Sequence, residues 1–232
     1  IEGTAKITSP YTVEVNGKTL TTKNIVVATG AQPFIPPIDG IEQVDYLTSD
    51  NLWQLRELPP RLLVLGGGPI ACELAQCFAR FGSQVTMVIR GPRLMRREDE
   101  DVAALVTEQF QDEGIDIRSS HTIKAFRIKD GRKELLAEHD GQEVAFEFDQ
   151  VLMALGRVAN TSGFGLEELG IELSERRTIA VNEFLQTNYP NIYACGDVAG
   201  PFQFTHTAGH QAWYAAVNSL FGMFRRFKVD YS

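Results

Sequence analysis

Residues 62–81 read LLVLGGGPIACELAQCFARF. An apolar run of strand length meets three glycines, and apolar residues then recur at 70, 71, 74, 75, 78, 79 and 81, the period of a helix. Gly66, Gly68 and Ala71 form G-x-G-x-x-A. In a strand–turn–helix, the first glycine permits the tight turn and the second lets a ligand approach the backbone. The alanine lets the helix lie close to the strand. The free N–H groups at the helix start attract an anion. A second strand, VTMVI, begins at 85. This context predicts a dinucleotide site in which Gly66, Gly67, Gly68, Pro69, Ile70 and Ala71 meet the cofactor.

An NAD site would place Asp or Glu at the end of the second strand, for the ribose hydroxyls. Here the chain runs IRGPRLMRR, with Arg90, Arg93, Arg96 and Arg97. The cluster stands out in a chain of net charge −8, a balance that argues against general affinity for nucleic acid or an anionic membrane. Guanidinium groups pair with phosphate bidentately, so the exchange of acid for arginine points to the 2′-phosphate of NADP. The other reading is a solvated basic loop that pairs with the adjacent EDED.

Around this stretch the patterning is of short strands. Hairpins are predicted at Asn16-Gly17, Asp130-Gly131 and Asp140-Gly141. Strands are expected at 122–129, 133–138 and 143–148, and a helix at 99–113 opened by its acidic run. AQPFIPPIDG (31–40) reads as a connector. VATGAQP at 27–33 and MALGRVAN at 153–160 echo each other and bracket the strand–helix stretch, as if it were inserted into another domain. The expected fold is α/β: a Rossmann-like NAD(P)-binding domain over 37–156, flanked by segments 1–36 and 157–232 of a second domain. FGLEELG (164–170) predicts a short helix. A last helix from about 206 carries an apolar stripe of Trp213, Val217, Leu220, Phe221 and Phe224, with Arg225, Arg226 and Lys228 at its negative end.

Three cysteines suggest a reducing, cytoplasmic setting. No apolar run approaches the ~20 residues of a membrane helix. Cys72 and Cys77 lie about 140° apart around a helix, too far for a disulfide, and read as small core residues, as does Cys195. His206 and His210 lack an evident third ligand, so no metal site is assigned.

With the loop, the echoed strand ends and QTNYPNIYACGD, the chain resembles the pyridine nucleotide-disulfide oxidoreductases, a family that includes dihydrolipoamide dehydrogenase, glutathione reductase and mercuric reductase. Thr187, Tyr193, Ala194, Gly196 and Asp197 fit its T-x5-Y-A-x-G-D signature. Arg90 and Arg96 look like the arginine pair of its NADPH-using members. The resemblance implies an FAD domain interrupted by an NAD(P) domain. Asp197, Thr29 and Gly30 would then touch FAD, and Gln203, Phe204, Thr205 and His206 would line the flavin. Gly156 would lie near the nicotinamide cofactor. Glu73 looks like the glutamate that supports the flavin N5 region, or else a carboxylate favoured by the helix dipole. No catalytic residue is expected in residues 1–232. The family's first glycine loop, redox C-x4-C and C-terminal dimerisation domain do not occur in them, so this stretch alone is expected not to be catalytically competent. The whole protein is expected to be a homodimer that passes hydride from NADPH through FAD to a disulfide, a dithiol-type small-molecule substrate or a metal ion. The alternative is a flavin-free dinucleotide-binding redox-sensor module.

Overall fold

Each predicted Asn-Gly or Asp-Gly turn closes a hairpin. At residues 16–17, 130–131 and 140–141 both central residues have positive φ, between 50° and 76°. That is the geometry of the turn whose twist matches antiparallel strands. The structure is a computed structural model that describes residues 1–231. The chain forms two units: Ile1–Gln32 together with the chain from Val158 onward, and Pro33–Arg157.

The first unit begins with an antiparallel sheet of β1 (Ala5–Ser9), β2 (Thr12–Val15) and β3 (Lys18–Thr21), followed by β4 (Ile25–Val27). The chain leaves along β5 (Ala31–Pro33).

In the second unit come β6 (Tyr46–Leu47), β7 (Arg61–Leu65), α1 (Pro69–Phe81), β8 (Gln84–Val88), α2 (Glu100–Asp112) and β9 (Asp116–Arg118). Then follow β10 (Thr122–Lys129), β11 (Arg132–His139), β12 (Gln142–Phe148) and β13 (Gln150–Met153). A parallel sheet runs β6-β13-β7-β8-β9, and β10, β11 and β12 form a separate antiparallel sheet.

Leu62–Leu65 are buried on both faces, as a central parallel strand requires. The pleat sorts them. Leu62 and Val64 join Val85, Met87 and Ile89 with Ala71, Ala75 and Phe78 of α1 and Phe110 of α2. Leu63 and Leu65 join Val88, Val151 and Met153 with Phe126, Leu135 and Phe148 of the antiparallel sheet. The parallel sheet is therefore covered by helices on one face and by strands on the other. Pro69 at N1 and Gly82 in the left-handed conformation (φ 107°) set the ends of α1.

The chain passes back through β14 (Arg157–Ala159) into the first unit. FGLEELG is a succession of turns rather than the expected helix. Gly163, Gly165 and Gly170 all have positive φ. The Phe164 carbonyl accepts the Ile7 N–H at 2.8 Å, and a Cβ on Gly165 would run into the Ile7 carbonyl. Close packing on β1 thus overrides the local helical pattern.

β15 (Ile192–Ala194) pairs in parallel with β4, Ile192 opposite Ile25 and Ala194 opposite Val27. The core of this unit gathers Ile7, Ile25, Val27, Leu166, Ile179, Ile192 and Val198. Its last element, α3 (Thr205–Phe221), does not bury the predicted apolar stripe. Gln211, Ala215 and Asn218 are its buried residues, whereas Trp213, Leu220 and Phe221 are more than half exposed. The amide groups go inward because they meet loop backbone that apolar side chains would strand. Asn218 Nδ2 donates to the carbonyls of Phe184 (3.1 Å) and Phe227 (2.9 Å), and its Oδ1 accepts the Phe227 N–H (2.8 Å). The basic residues fall outside the last turn of the helix, and of these Arg226 reaches its end, where Nε donates to the carbonyl of the C-cap residue Gly222 (3.4 Å). Arg225 lies over the Phe227 ring, and Lys228 pairs with Glu183 at 2.7 Å. No helix among the described residues is long and apolar enough to cross a membrane.

Candidate functional site

Parallel strands gather their C-terminal ends at one edge, where open α/β sheets bind ligands. In the second unit that edge brings together the predicted phosphate loop after β7, Arg90 after β8 and Gly156 after β13. Gly66 has φ 121°, and a Cβ on it would run into the Ala154 carbonyl that follows β13. A Cβ on Gly68 would meet nothing within 4 Å. One glycine is demanded by the protein's own packing, and the other leaves open space in front of the helix. Cys72 N–H donates to the Gly68 carbonyl (3.0 Å), the first turn of α1. The N–H groups of Gly68, Ile70 and Ala71 make no hydrogen bond among the described residues and α1 has no side-chain cap. These donors, on the positive end of a helix of 13 residues, suit a pyrophosphate.

Arg90, Arg96 and Arg97 are exposed and form no ion pair among the described residues, so the pairing with EDED does not occur. The stem of Arg96 crosses Gly91, whose Cβ would stand 2.6 Å from Arg96 Cδ. Arg90 is flanked by two anchored residues: the Ile89 carbonyl accepts the His121 N–H (3.0 Å) and the Gly91 carbonyl accepts the Ser120 N–H (2.9 Å). Three free guanidinium groups, those of Arg90, Arg96 and Arg97, therefore stand on a braced loop beside the Gly66–Gly68 turn. Arg93 differs, since its guanidinium donates to main-chain carbonyls of the same loop.

In the first unit the paired ends of β4 and β15 bring Thr29 and Gly30 beside the Gly196–Val198 turn that carries Asp197. Asn160 clasps the former pair. The Thr29 hydroxyl donates to the Asn160 carbonyl (2.8 Å), Asn160 Nδ2 to the Thr29 carbonyl (2.9 Å) and Asn160 N–H to the Gly30 carbonyl (2.9 Å). Gln211, fully buried, accepts the Gly196 N–H (2.6 Å) and donates to the Gly200 carbonyl and the Tyr231 hydroxyl (both 2.6 Å). It ties the Asp197 turn to α3. Gln203, Phe204, Thr205 and His206 lie exposed at the start of that helix, where Phe202, Phe204 and His206 stack in sequence. The strand ends, the half-buried carboxylate and an uncapped helix start suit hydroxyls and an electron-rich ring.

Sequence reasoning missed Asn160, Gln211 and the separate role of Arg93. A polar residue inside the last helix was the one available signal for Gln211. Glu73 is exposed on the second turn of α1 and forms no ion pair among the described residues. Cys72 is buried and its thiol lies 3.8 Å from the Gly67 carbonyl; burial, with the Glu73 charge adding, pushes its pKa up to about 11. Cys195 is buried beside Tyr193 and Ala215. Cys77 corrects the expectation: it is exposed, because α1 turns Ala71, Cys72, Ala75 and Phe78 inward and position 77 falls on the outer side. His206 and His210 are exposed, the latter against the Tyr214 ring.

Residues 1–212 match the family profile described as pyridine nucleotide-disulphide oxidoreductase. The chain is 37% identical to a mercuric reductase of Staphylococcus aureus over 99% of this chain and 42% of that protein. It is 36% identical to a dihydrolipoyl dehydrogenase of Acholeplasma laidlawii over 94% of this chain and 64% of that protein. Among solved structures it is similar to the HOCl-induced flavoprotein disulfide reductase RclA from Escherichia coli, with a TM-score of 0.88 and 32% identity. That likeness covers 98% of this chain and 52% of the other. The chain thus spans less than two thirds of each of these proteins.

Proposed function

Because this chain belongs to the pyridine nucleotide-disulphide oxidoreductase family, we propose that its second unit binds NADPH and its first unit FAD. The whole protein then passes hydride from NADPH through the flavin to a disulfide, a dithiol-type substrate or a metal ion. The observation that carries the choice of NADPH is the pair of exposed guanidinium groups at Arg90 and Arg96, where an NAD site would have a carboxylate. The cofactors, when bound, supply the hydride and electron chemistry.

The chain's own residues bind and orient. The N–H groups of Gly68, Ile70 and Ala71 hold pyrophosphate oxygens, while Arg90 and Arg96 hold the 2′-phosphate through charge-assisted bonds. Gly156 leaves the backbone open at the neighbouring strand end, with φ 129° and nothing within 4 Å of a Cβ. In the first unit, Asp197 accepts hydrogen bonds from flavin hydroxyls, and Thr29 and Gly30 contact the same cofactor. The start of α3 faces the flavin ring, where its dipole favours negative charge.

Titration of the protein with NADPH and NADH tests this reading. NADPH should bind about tenfold more tightly or better, one charge-assisted phosphate contact being worth that much. The gap should narrow as salt rises, and Arg90→Glu should narrow it further. Equal affinities, or a preference for NADH, would sink the assignment.

A further inference from the structure

The four arginines of residues 90–97 do not share one role. Arg93 is half-buried, and its Nη1 donates to the Met95 carbonyl (3.1 Å) while Nη2 donates to those of Glu98 (3.1 Å) and Arg96 (3.4 Å). The Met95 carbonyl also accepts the Glu98 N–H (2.9 Å). These bonds close residues 93–98 into a tight loop, with Met95 at φ 47°, a conformation a non-glycine residue keeps only where its surroundings impose it.

The same loop is fastened to the phosphate-binding turn. Met95 donates its N–H to the Gly67 carbonyl at 2.7 Å, and the Leu94 side chain, fully buried, packs against Gly67. In a trans peptide C=O and N–H point in opposite directions. With the Gly67 carbonyl held by Met95 and by the Cys72 thiol, the Gly68 N–H must face the other way.

We propose that Arg93 is a positioning residue for cofactor selection. It shapes the loop that presents Arg90 and Arg96 to the 2′-phosphate and, through Met95, holds the Gly67–Gly68 peptide in its anion-binding orientation. This rests on the NADPH reading above. A lysine cannot replace it, since one ammonium group cannot reach as a planar fork to three carbonyls. A direct phosphate ligand would behave differently, because lysine keeps the charge.

The test titrates wild type, Arg93→Lys, Arg93→Met and Arg96→Ala with NADPH, NADH and 2′,5′-ADP, and measures backbone amide exchange. Both Arg93 variants should lose about tenfold of the NADPH preference. Exchange at Met95 and Glu98 should quicken in both, with β7 and β8 unchanged. Arg96→Ala should weaken NADPH binding without quickening that exchange. Arg93→Lys binding NADPH like wild type while Arg93→Met does not, or exchange as slow as in wild type, would overturn the inference. So would equal quickening by Arg96→Ala. Equal wild-type affinity for NADPH and NADH would instead overturn the cofactor reading. Arg93 then stands as a positioning residue if its variants quicken exchange and weaken NADH binding, and falls if they do neither.

Discussion

Gly66 and Gly68 sit two residues apart in one motif, yet the structure makes opposite demands on them. A methyl group at Gly66 collides with the Ala154 carbonyl and would have to adopt φ 121°. Gly66→Ala should therefore cost about 1–3 kcal/mol of stability, seen as a lower melting temperature. At Gly68 φ is −85° and the space is open, so Gly68→Ala should leave stability within about 0.5 kcal/mol. It should nonetheless weaken NADPH binding by crowding the phosphate. If both variants lost stability equally, this division would be wrong. The cysteines separate in the same manner. Native protein at pH 8 should be alkylated at Cys77, with Cys72 and Cys195 reacting only on unfolding, because burial raises both of their pKa values. For Cys72 the folded value is above the ordinary 9.0, so its contribution to stability is complete below pH 9 and is lost as pH rises toward about 11. Rapid labelling of Cys72 in native protein would contradict its burial.

Among the elements, α3 carries the most instructive arrangement. Its inward face is held by amides rather than hydrocarbon, and Gln211 alone meets a backbone donor, a backbone acceptor and a phenol. Gln211→Leu keeps the volume but strands the Gly196 N–H and the Gly200 carbonyl. It should cost about 1–3 kcal/mol for each buried group left unpaired. By freeing the turn that carries Asp197, it should also weaken flavin binding in the whole protein. A melting temperature equal to that of wild type would show that the network contributes nothing. Substitution of the exposed Leu220 by Ser should, by contrast, be nearly neutral in this chain, although a reading of periodicity alone would place it in the core.

For the molecule as a whole, Pro33–Arg157 is one continuous stretch with apolar clusters of its own on both faces of its sheet. Excised, it should melt cooperatively and keep an NADPH affinity within about threefold of the longer chain, a change under 1 kcal/mol. Circular dichroism and the same titration check this. A non-cooperative melt, or loss of nucleotide binding, would show that the flanking chain completes the fold. The first unit is drawn from two separated stretches, and its β4–β15 pairing joins residues far apart in sequence.

Where structure follows from neighbours along the chain, the sequence determined it. The bounds of α1 follow from Pro69, Gly82 and a 3.6-residue apolar period, the hairpins from Asn-Gly and Asp-Gly, and the parallel strands from runs such as LLVL. The glycine turn and helix start of the proposed phosphate loop were legible for the same reason, since both lie within ten residues. Tertiary structure alone decided which groups that chemistry could use. Gln211 and Asn218 turn inward because loop backbone 34 residues and fewer away needs their amides, which no periodicity reports. FGLEELG gave up its helix to sit against β1. Four arginines alike in sequence became loop support at Arg93 and open cations at Arg90, Arg96 and Arg97. Charge can be read from composition, but whether a guanidinium is free depends on which carbonyls the folded backbone brings within about 3 Å of it.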